Sequence, residues 1–477
     1  MNQAVHPGTP NVSALSEQTA HWQRRLDELA TKHGVPGAQL AILRRHEDRA
    51  DELVQVSFGV LNLDTGVEVT NDSVFQIGSI SKVWTATVIM GLVDEGLLDL
   101  DTPIIDILPE LRLADPDTNK QVTVRHLLTH TSGIDGDLFT DVSRGDDVLE
   151  RYVELLADVE QIFPLGQAWS YCNAGFILLG RVIEKVTGSV WDEALRSRLI
   201  QPLDLPHTVT LPEEALLHRA AVGHIDGPDG KQIRIPVWNV PRSAGPAGGI
   251  MATATDVLAF ARMHLSDGLA ADGSLVLRPE TVRLMQAQHA ELPEGATGGD
   301  MTGSSWGLGW MRMNWEGQPL VGHNGGTTGQ AAALRLLPSQ GIATVLLTNG
   351  GQHDEVNDEL IAEVFAEVAG LAQPRWETEP PAVPGQFDAA SYAGKYANLT
   401  YQVEIVAADA AFLLRLGEVE EDGKPGTAID IPLIAASEDV LVMNLPPERR
   451  YQSISFLTLD SGTRYLCLSG RLLAKRD

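Results

Sequence analysis

"FQIGSISKVWTATVIMGLV", Phe75–Val93, holds a serine at 79, a lysine at 82 and no other charge until Asp94. Residues three apart share a face of a helix. A helix beginning near Gly78 would set Ser79 at its N-terminus and Lys82 one turn further in. The positive end of the helix dipole stabilises an alkoxide or oxyanion at that end. Apolar neighbours disfavour the charged form of a lysine and lower its proton affinity. An amine that yields its proton easily, beside a hydroxyl, is a general base beside a nucleophile. A Ser-x-x-Lys pair on a solvated helix face would have no such meaning, so further elements must accompany it.

Two do. "WSYCNAGFILLG" (169–180) sets Tyr171 and Asn173 two apart, ahead of another apolar helix. Side chains two apart in extended backbone point the same way. A phenol there can share a proton with Lys82, and an amide can orient a substrate carbonyl. "LVGHNGGTTGQ" (320–330) then places His323, Asn324, Gly325 and Gly326 at the end of a strand. Consecutive glycines let a substrate lie against the backbone and offer bare N–H groups.

The rest of the chain supplies the scaffold. Trp22, Leu26, Leu29 and Ala30 recur at helical spacing until Gly34 and Pro36 stop the helix. "AQLAIL" and "VQVSFGVLNL" read as strands, and "NLDTGVEV" as a hairpin-like turn. From about 101 to 265 the pattern is mostly helical, with Thr253 and Asp256 resembling a capping box. The Gly- and Trp-rich stretch 291–319 reads as an overhanging loop followed by a short strand. "AAALRLLPSQGIATVLLTN" reads as two strands joined by a turn, and a helix follows over about 354–369. Strands from both ends with helices between predict an α+β fold: an antiparallel sheet flanked by helices, with an all-helical lobe. Four prolines within 373–386 predict a stiff linker. Beyond it, "YQVEIVA", "AFLLRL", "AIDIPLIAA", "DVLVMNL", "YQSISFLTLD" and "TRYLCLSGRLL" read as successive strands of a small all-β barrel or sandwich. The expected organisation is therefore 1–372, linker 373–386, and a C-terminal unit over 387–477.

The net charge of −29 in 477 residues argues against nucleic acid or an anionic membrane as partner. No apolar run approaches the ~20 residues that cross a bilayer. The first residues lack a basic start followed by an apolar core, so a cytoplasmic location is expected. The two cysteines, Cys172 and Cys467, lie far apart and predict no disulfide framework. Cys172 is expected as a small buried hydrophobe, and Asp135 and Asp137 as turn acids. His126 and His130 stand four apart with no evident third ligand, so packing is expected rather than a metal. No cofactor is expected. Trp306 and Trp310 fit either a pocket wall or a core.

Together, "GSISK", "YCN" and "HNGG" resemble the three motifs of the serine β-lactamase and penicillin-binding-protein superfamily. The Tyr-x-Asn form resembles its class C branch, with the related esterases and D-aminopeptidases. "VTVRHLLTHTSGI" (122–134), "LLGRVIEKVTG" (178–188) and "PAGGIMATATDVLAFA" (246–261) extend the resemblance over about residues 20–370. The tail from "YAGKYAN" is similar to the lipocalin-like barrels appended to some of these hydrolases. The resemblance implies an antiparallel sheet with a helical lobe and the active site between them. It implies Ser79 as the acylated nucleophile, Lys82 as its activator, Tyr171 as general base and acid, and Asn173 as substrate-orienting amide. The N–H groups of Ser79 and Gly326 would form the oxyanion hole.

One departure stands out. The family's third motif usually begins with lysine, and here His323 takes that place. A fixed positive charge for an anionic substrate is missing there, which leans toward neutral esters or amides. The activity expected is hydrolysis of an ester, amide or β-lactam through an acyl-enzyme. A D-amino-acid-specific peptidase or amidase and a biosynthetic acyltransferase are the enzymatic alternatives, and a non-catalytic sensor ranks last. The tail has three roles open to it: closing over the cleft, reaching into it, or building a homo-oligomer contact.

Overall fold

The computed structural model describes residues 14–238, 240–293, 303–374, 389–408, 411–419, 425–445 and 450–476. The expected linker over 373–386 lies mostly outside the described residues, as does the middle of the 291–319 loop.

Nine strands form the main sheet: β1 (Gly37–Arg44), β2 (Glu52–Asn62), β3 (Val67–Glu68), β4 (Ala290–Glu291), β5 (Ser305–Trp306), β6 (Met311–Trp315), β7 (Gln318–Thr327), β8 (Gln330–Leu337) and β9 (Ile342–Thr348). Their spatial order is β3-β2-β1-β9-β8-β7-β6-β5-β4, so strands from the two ends of the larger unit meet at the β1–β9 pair. That pair is antiparallel, with Leu40 opposite Leu346. Successive side chains of a strand face opposite ways. Leu40, Ile42 and Leu346 accordingly pack with Trp22, Leu26, Leu360 and Val364 on one face. Those four come from helices α1 (Thr19–Lys32) and α5 (His353–Val364). Ala41, Leu43, Val345 and Leu347 join the larger core on the other face. There lie α2 (Ser81–Asp94), α3 (Asn173–Thr187) and α4 (Ala254–Leu265).

α2 is apolar on every side: Val83, Trp84, Ala86, Val88, Ile89, Met90 and Leu92 are all buried. A helix hydrophobic all round belongs in a core, and this one runs between the sheet and the helical lobe. α4 begins at Thr253, whose side chain accepts the N–H of Asp256. The carboxylate of Asp256 turns instead to the N–H of His207 and the hydroxyl of Thr208, so only half of the expected capping box forms.

The C-terminal unit is a closed barrel of eight strands: β10 (Gly394–Ala397), β11 (Tyr401–Ala408), β12 (Ala411–Val419), β13 (Pro425–Ala435), β14 (Val440–Leu445), β15 (Arg450–Thr458), β16 (Arg464–Leu468) and β17 (Arg471–Arg476). Val403 and Ile405, Leu441 and Met443, and Leu466 and Leu468 alternate inward to fill it. The sequence reading finds six of these strands. It misses the short first one and takes "TRYLCLSGRLL" as a single strand. Ser469 and Gly470 both have positive φ, 48° and 73°, the two-residue hairpin geometry that matches strand twist. They fold this stretch back on itself. The outward residues of the resulting hairpin, Tyr465, Cys467, Leu472 and Ala474, are buried against Ile162 and Phe163 of the helical lobe. The barrel is docked on the larger unit through that hairpin. Among the described residues, no helix is long and apolar enough to cross a membrane.

Candidate active site

Ser79 sits in a single 3-10 turn, Gly78–Ile80, at the entrance to α2. Lys82, one turn later, is completely buried. Its Nζ donates to Ser79 Oγ at 3.0 Å and to the carbonyl of Ala247 at 2.7 Å. Burial pushes the lysine well below its ordinary proton affinity, Arg471 adds to the effect, and Asp137 opposes it. The amine expected from the sequence is thus present, dry and in contact with the hydroxyl.

Tyr171 is buried at 6% exposure, and its ring centre lies 4.9 Å from Lys82 Nζ. Behind it stand His130, at 4.4 Å between ring centres, and Trp306, at 5.9 Å. His130 is not a helical neighbour of His126. Its backbone is left-handed, with φ 58°, and its Nδ1 accepts the N–H of Cys172 at 3.0 Å. Burial, reinforced by Lys82, pushes its proton affinity well down. His126 instead caps the helix that follows Thr123. Both histidines therefore serve packing and capping. Among the described residues, no group of three or more His, Cys, Asp or Glu side chains is placed to hold a metal ion.

Cys172 caps α3, its sulfur accepting the N–H of Gly175, and burial pushes its thiol up to about 12. Asn173 opens that helix and donates through Nδ2 to Asp137 Oδ1 at 2.5 Å. Asp135 and Asp137 are not the ordinary turn acids expected. Asp135 accepts the N–H of Leu399 from the barrel at 2.7 Å. Asp137 accepts from Asn173 with one oxygen and from Arg471 Nε, at 2.9 Å, with the other.

β7 brings His323, Asn324, Gly325 and Gly326 to the same place. His323 is 1% exposed. Its Nδ1 lies 2.5 Å from the carbonyl of Asn324, and burial above all takes it down to about 3. It is a neutral imidazole, as the sequence reading expects. The glycines are demanded by contact. A Cβ on Gly325 would fall 1.9 Å from the carbonyl oxygen of Ile77 and 3.2 Å from the backbone nitrogen of Ser79. A Cβ on Gly78, at φ +50°, would fall 2.6 Å from the nitrogen of Gly326. The serine turn and β7 touch backbone to backbone, with the nitrogens of Ser79 and Gly326 both at that contact.

These groups line one cavity of about 360 Å³, shared by Ser79, Tyr171, Asn173, His323, Asn324 and Gly326. Phe139, Met311 and Arg471 also line it, and sequence reasoning names none of the three. Trp306 lies beneath the site at 0% exposure, and Trp310 packs away from it against His264. The expectation of a pocket without fixed positive charge needs correction. His323 supplies none, but the barrel contributes the Arg471 guanidinium.

A family model described as Beta-lactamase matches residues 22–366. The chain is 46% identical over 378 residues to "Penicillin-binding protein 4" of Amycolatopsis lactamdurans, covering 79% of this chain and 97% of that protein. Among solved structures it is similar to SurE, with a TM-score of 0.77 and 26% identity over 97% of this chain and 100% of that one. That span takes in the barrel. It is also similar to a D-amino acid amidase from Ochrobactrum anthropi SV3, solved with L-phenylalanine amide, with a TM-score of 0.60 and 25% identity over 74% of this chain and 99% of that one.

Proposed function

The chain belongs to the beta-lactamase family, a serine hydrolase superfamily, and from that premise we propose that it cleaves an ester or amide through an acyl-enzyme on Ser79. The observation that carries this reading is the 3.0 Å contact between Ser79 Oγ and the fully buried Lys82 Nζ. Lys82, whose charged form burial disfavours, takes the hydroxyl proton as Oγ attacks the carbonyl carbon. The developing oxyanion is received by the N–H groups of Ser79 and Gly326. Two such donors aimed at forming charge are worth several kcal/mol of barrier, about 3 for a single one. Tyr171, as the phenolate, takes that proton from Lys82 and passes it to the departing amine or alcohol. The regenerated phenolate then takes a proton from the water that attacks the acyl-enzyme carbonyl and returns it to Ser79 Oγ as the ester breaks. Asn173 and the backbone of β7 hold the acyl group.

The neutral His323 supports uncharged esters and amides over substrates that need a fixed cation at the third motif. The likeness to a D-amino acid amidase supports a second reading, an amidase or peptidase for D-amino-acid derivatives. An acyltransferase, in which an amine or alcohol replaces water, uses the same first half-reaction. Turnover of p-nitrophenyl esters, nitrocefin and D-alanyl anilides, with product masses measured in the presence of added amines, separates the three. No turnover on any of them would contradict the hydrolytic reading.

A further inference from the structure

The sequence reading leaves three roles open to the barrel, one of them reaching into the cleft, and its β16–β17 hairpin reaches the candidate catalytic side chains. The Gly470 carbonyl at the hairpin turn accepts the N–H of Tyr171 at 2.9 Å. Two residues on, the N–H of Leu472 donates to Ser170 Oγ at 3.0 Å. Between them Arg471 points inward. Its guanidinium carbon lies 4.8 Å from the centre of the Tyr171 ring. Nε donates to Asp137 Oδ2 at 2.9 Å, and Nη1 to the carbonyl of Ser469 at 2.9 Å. Asp137 in turn holds Asn173 through its other oxygen. One carboxylate thus ties a cation of the barrel to the amide at the start of α3.

We propose that the barrel is a working part of the catalytic site, with Arg471 as a positioning residue that holds the Tyr171 ring and, through Asp137, the Asn173 amide in reactive register. This rests on Tyr171 acting as the base of the acyl-enzyme cycle. Among the described residues, the titratable groups facing the Tyr171 ring include Lys82 from α2, His130, His323 from β7 and Arg471 from the barrel, with Cys172 next in sequence, Asp137 bound to Arg471 and Tyr401 acting on Arg471 in turn. Burial disfavours the charged forms of Lys82, His130 and His323. Arg471 and Asp137 form an ion pair at 2.9 Å, with the guanidinium against the Tyr171 ring. A nearby cation favours the phenolate and a nearby carboxylate disfavours it.

A simple docking clasp and a positioning residue make different predictions. In the full-length protein, Arg471→Met removes the cation and Asp137→Asn removes the anion while keeping an acceptor for Asn173. The acidic limb of the kcat/KM profile for a p-nitrophenyl ester should move to higher pH in R471M and to lower pH in D137N. Each shift should be about one unit, the low end of what a charge within 4–6 Å commands. Arg471→Lys should restore most of the limb but not the rate, because a lysine cannot repeat the Nε geometry. Unchanged limbs in both variants, with native melting curves, would overturn the proposal and leave the hairpin as an anchor. So would a loss confined to substrates with a free carboxylate, which would make Arg471 a ligand of the substrate. If R471M does not fold, the D137N shift still decides. Failure of the parent protein to turn over any ester would count against the acyl-enzyme reading and is seen before either variant is made.

Discussion

Replacing Asp135 by asparagine should flatten part of the protein's pH–stability curve. Asp135 is 6% exposed and accepts the N–H of Leu399, a barrel residue, at 2.7 Å. Burial is the main reason its carboxyl is pushed up from 3.8 to about 7, with Asp137 and Glu160 adding to the rise and the Leu399 N–H opposing it. The folded chain therefore keeps a proton between pH ~4 and ~7 that the unfolded chain releases. Stability from this group is complete below pH ~4 and is lost as pH climbs through ~7. Three units at about 1.4 kcal/mol each make the loss on the order of 4 kcal/mol by pH 8. An asparagine is neutral throughout, and its carbonyl can still accept from Leu399. Urea denaturation of both proteins at pH 5 and pH 8 is the assay. His130, His264 and His323, held neutral by burial, give the opposite slope, since they destabilise the fold as pH drops below ~6.5. Both proteins share that slope, so the difference between them isolates Asp135. The variant should gain stability over the parent at pH 8, with the gap shrinking toward pH 4. An identical gap at both pH values would refute the reasoning.

Tyr171→Phe should leave folding intact and lower kcat/KM for a p-nitrophenyl ester by roughly 10²–10⁴-fold, the usual worth of a positioned general base. Lys82→Met should keep the buried volume, abolish Ser79 acylation and raise the melting temperature slightly, because it removes a desolvated amine; a destabilised variant with residual acylation would contradict this. Gly325→Ala forces a Cβ to within 1.9 Å of a backbone oxygen, so it should cost about 1–3 kcal/mol or more of stability and slow acylation by parting β7 from the serine turn. Unchanged unfolding and labelling would show that the two backbones do not touch.

Much of this site is legible before any coordinates. The i,i+3 spacing of Ser79 and Lys82 in an apolar run announces both the buried helix and the contact, because helix geometry is local. Leu40 and Ile42 facing one core while Ala41 and Leu43 face the other follows from period 2 and a sheet covered on both sides. What escapes is non-local. Asp137 is indistinguishable from a turn acid until Asn173 and Arg471 arrive from 36 and 334 residues away. Arg471 escapes because Ser469-Gly470 lies inside an apolar run that reads as one strand. A signal was there, since Ser-Gly between apolar stretches is a turn pair. The run is apolar at successive positions because β16 is buried on both faces, inward by Leu466 and outward by Tyr465 and Cys467. A doubly buried strand in a small barrel already says that something covers the barrel's outer wall.

The sharpest test is the mass of the intact protein after brief exposure to a fluorophosphonate or a penicillin. A single covalent adduct that maps to Ser79, absent in both Ser79→Ala and Lys82→Met, is the predicted result. A chain that stays at its unmodified mass, or that carries the adduct on another residue, would contradict it.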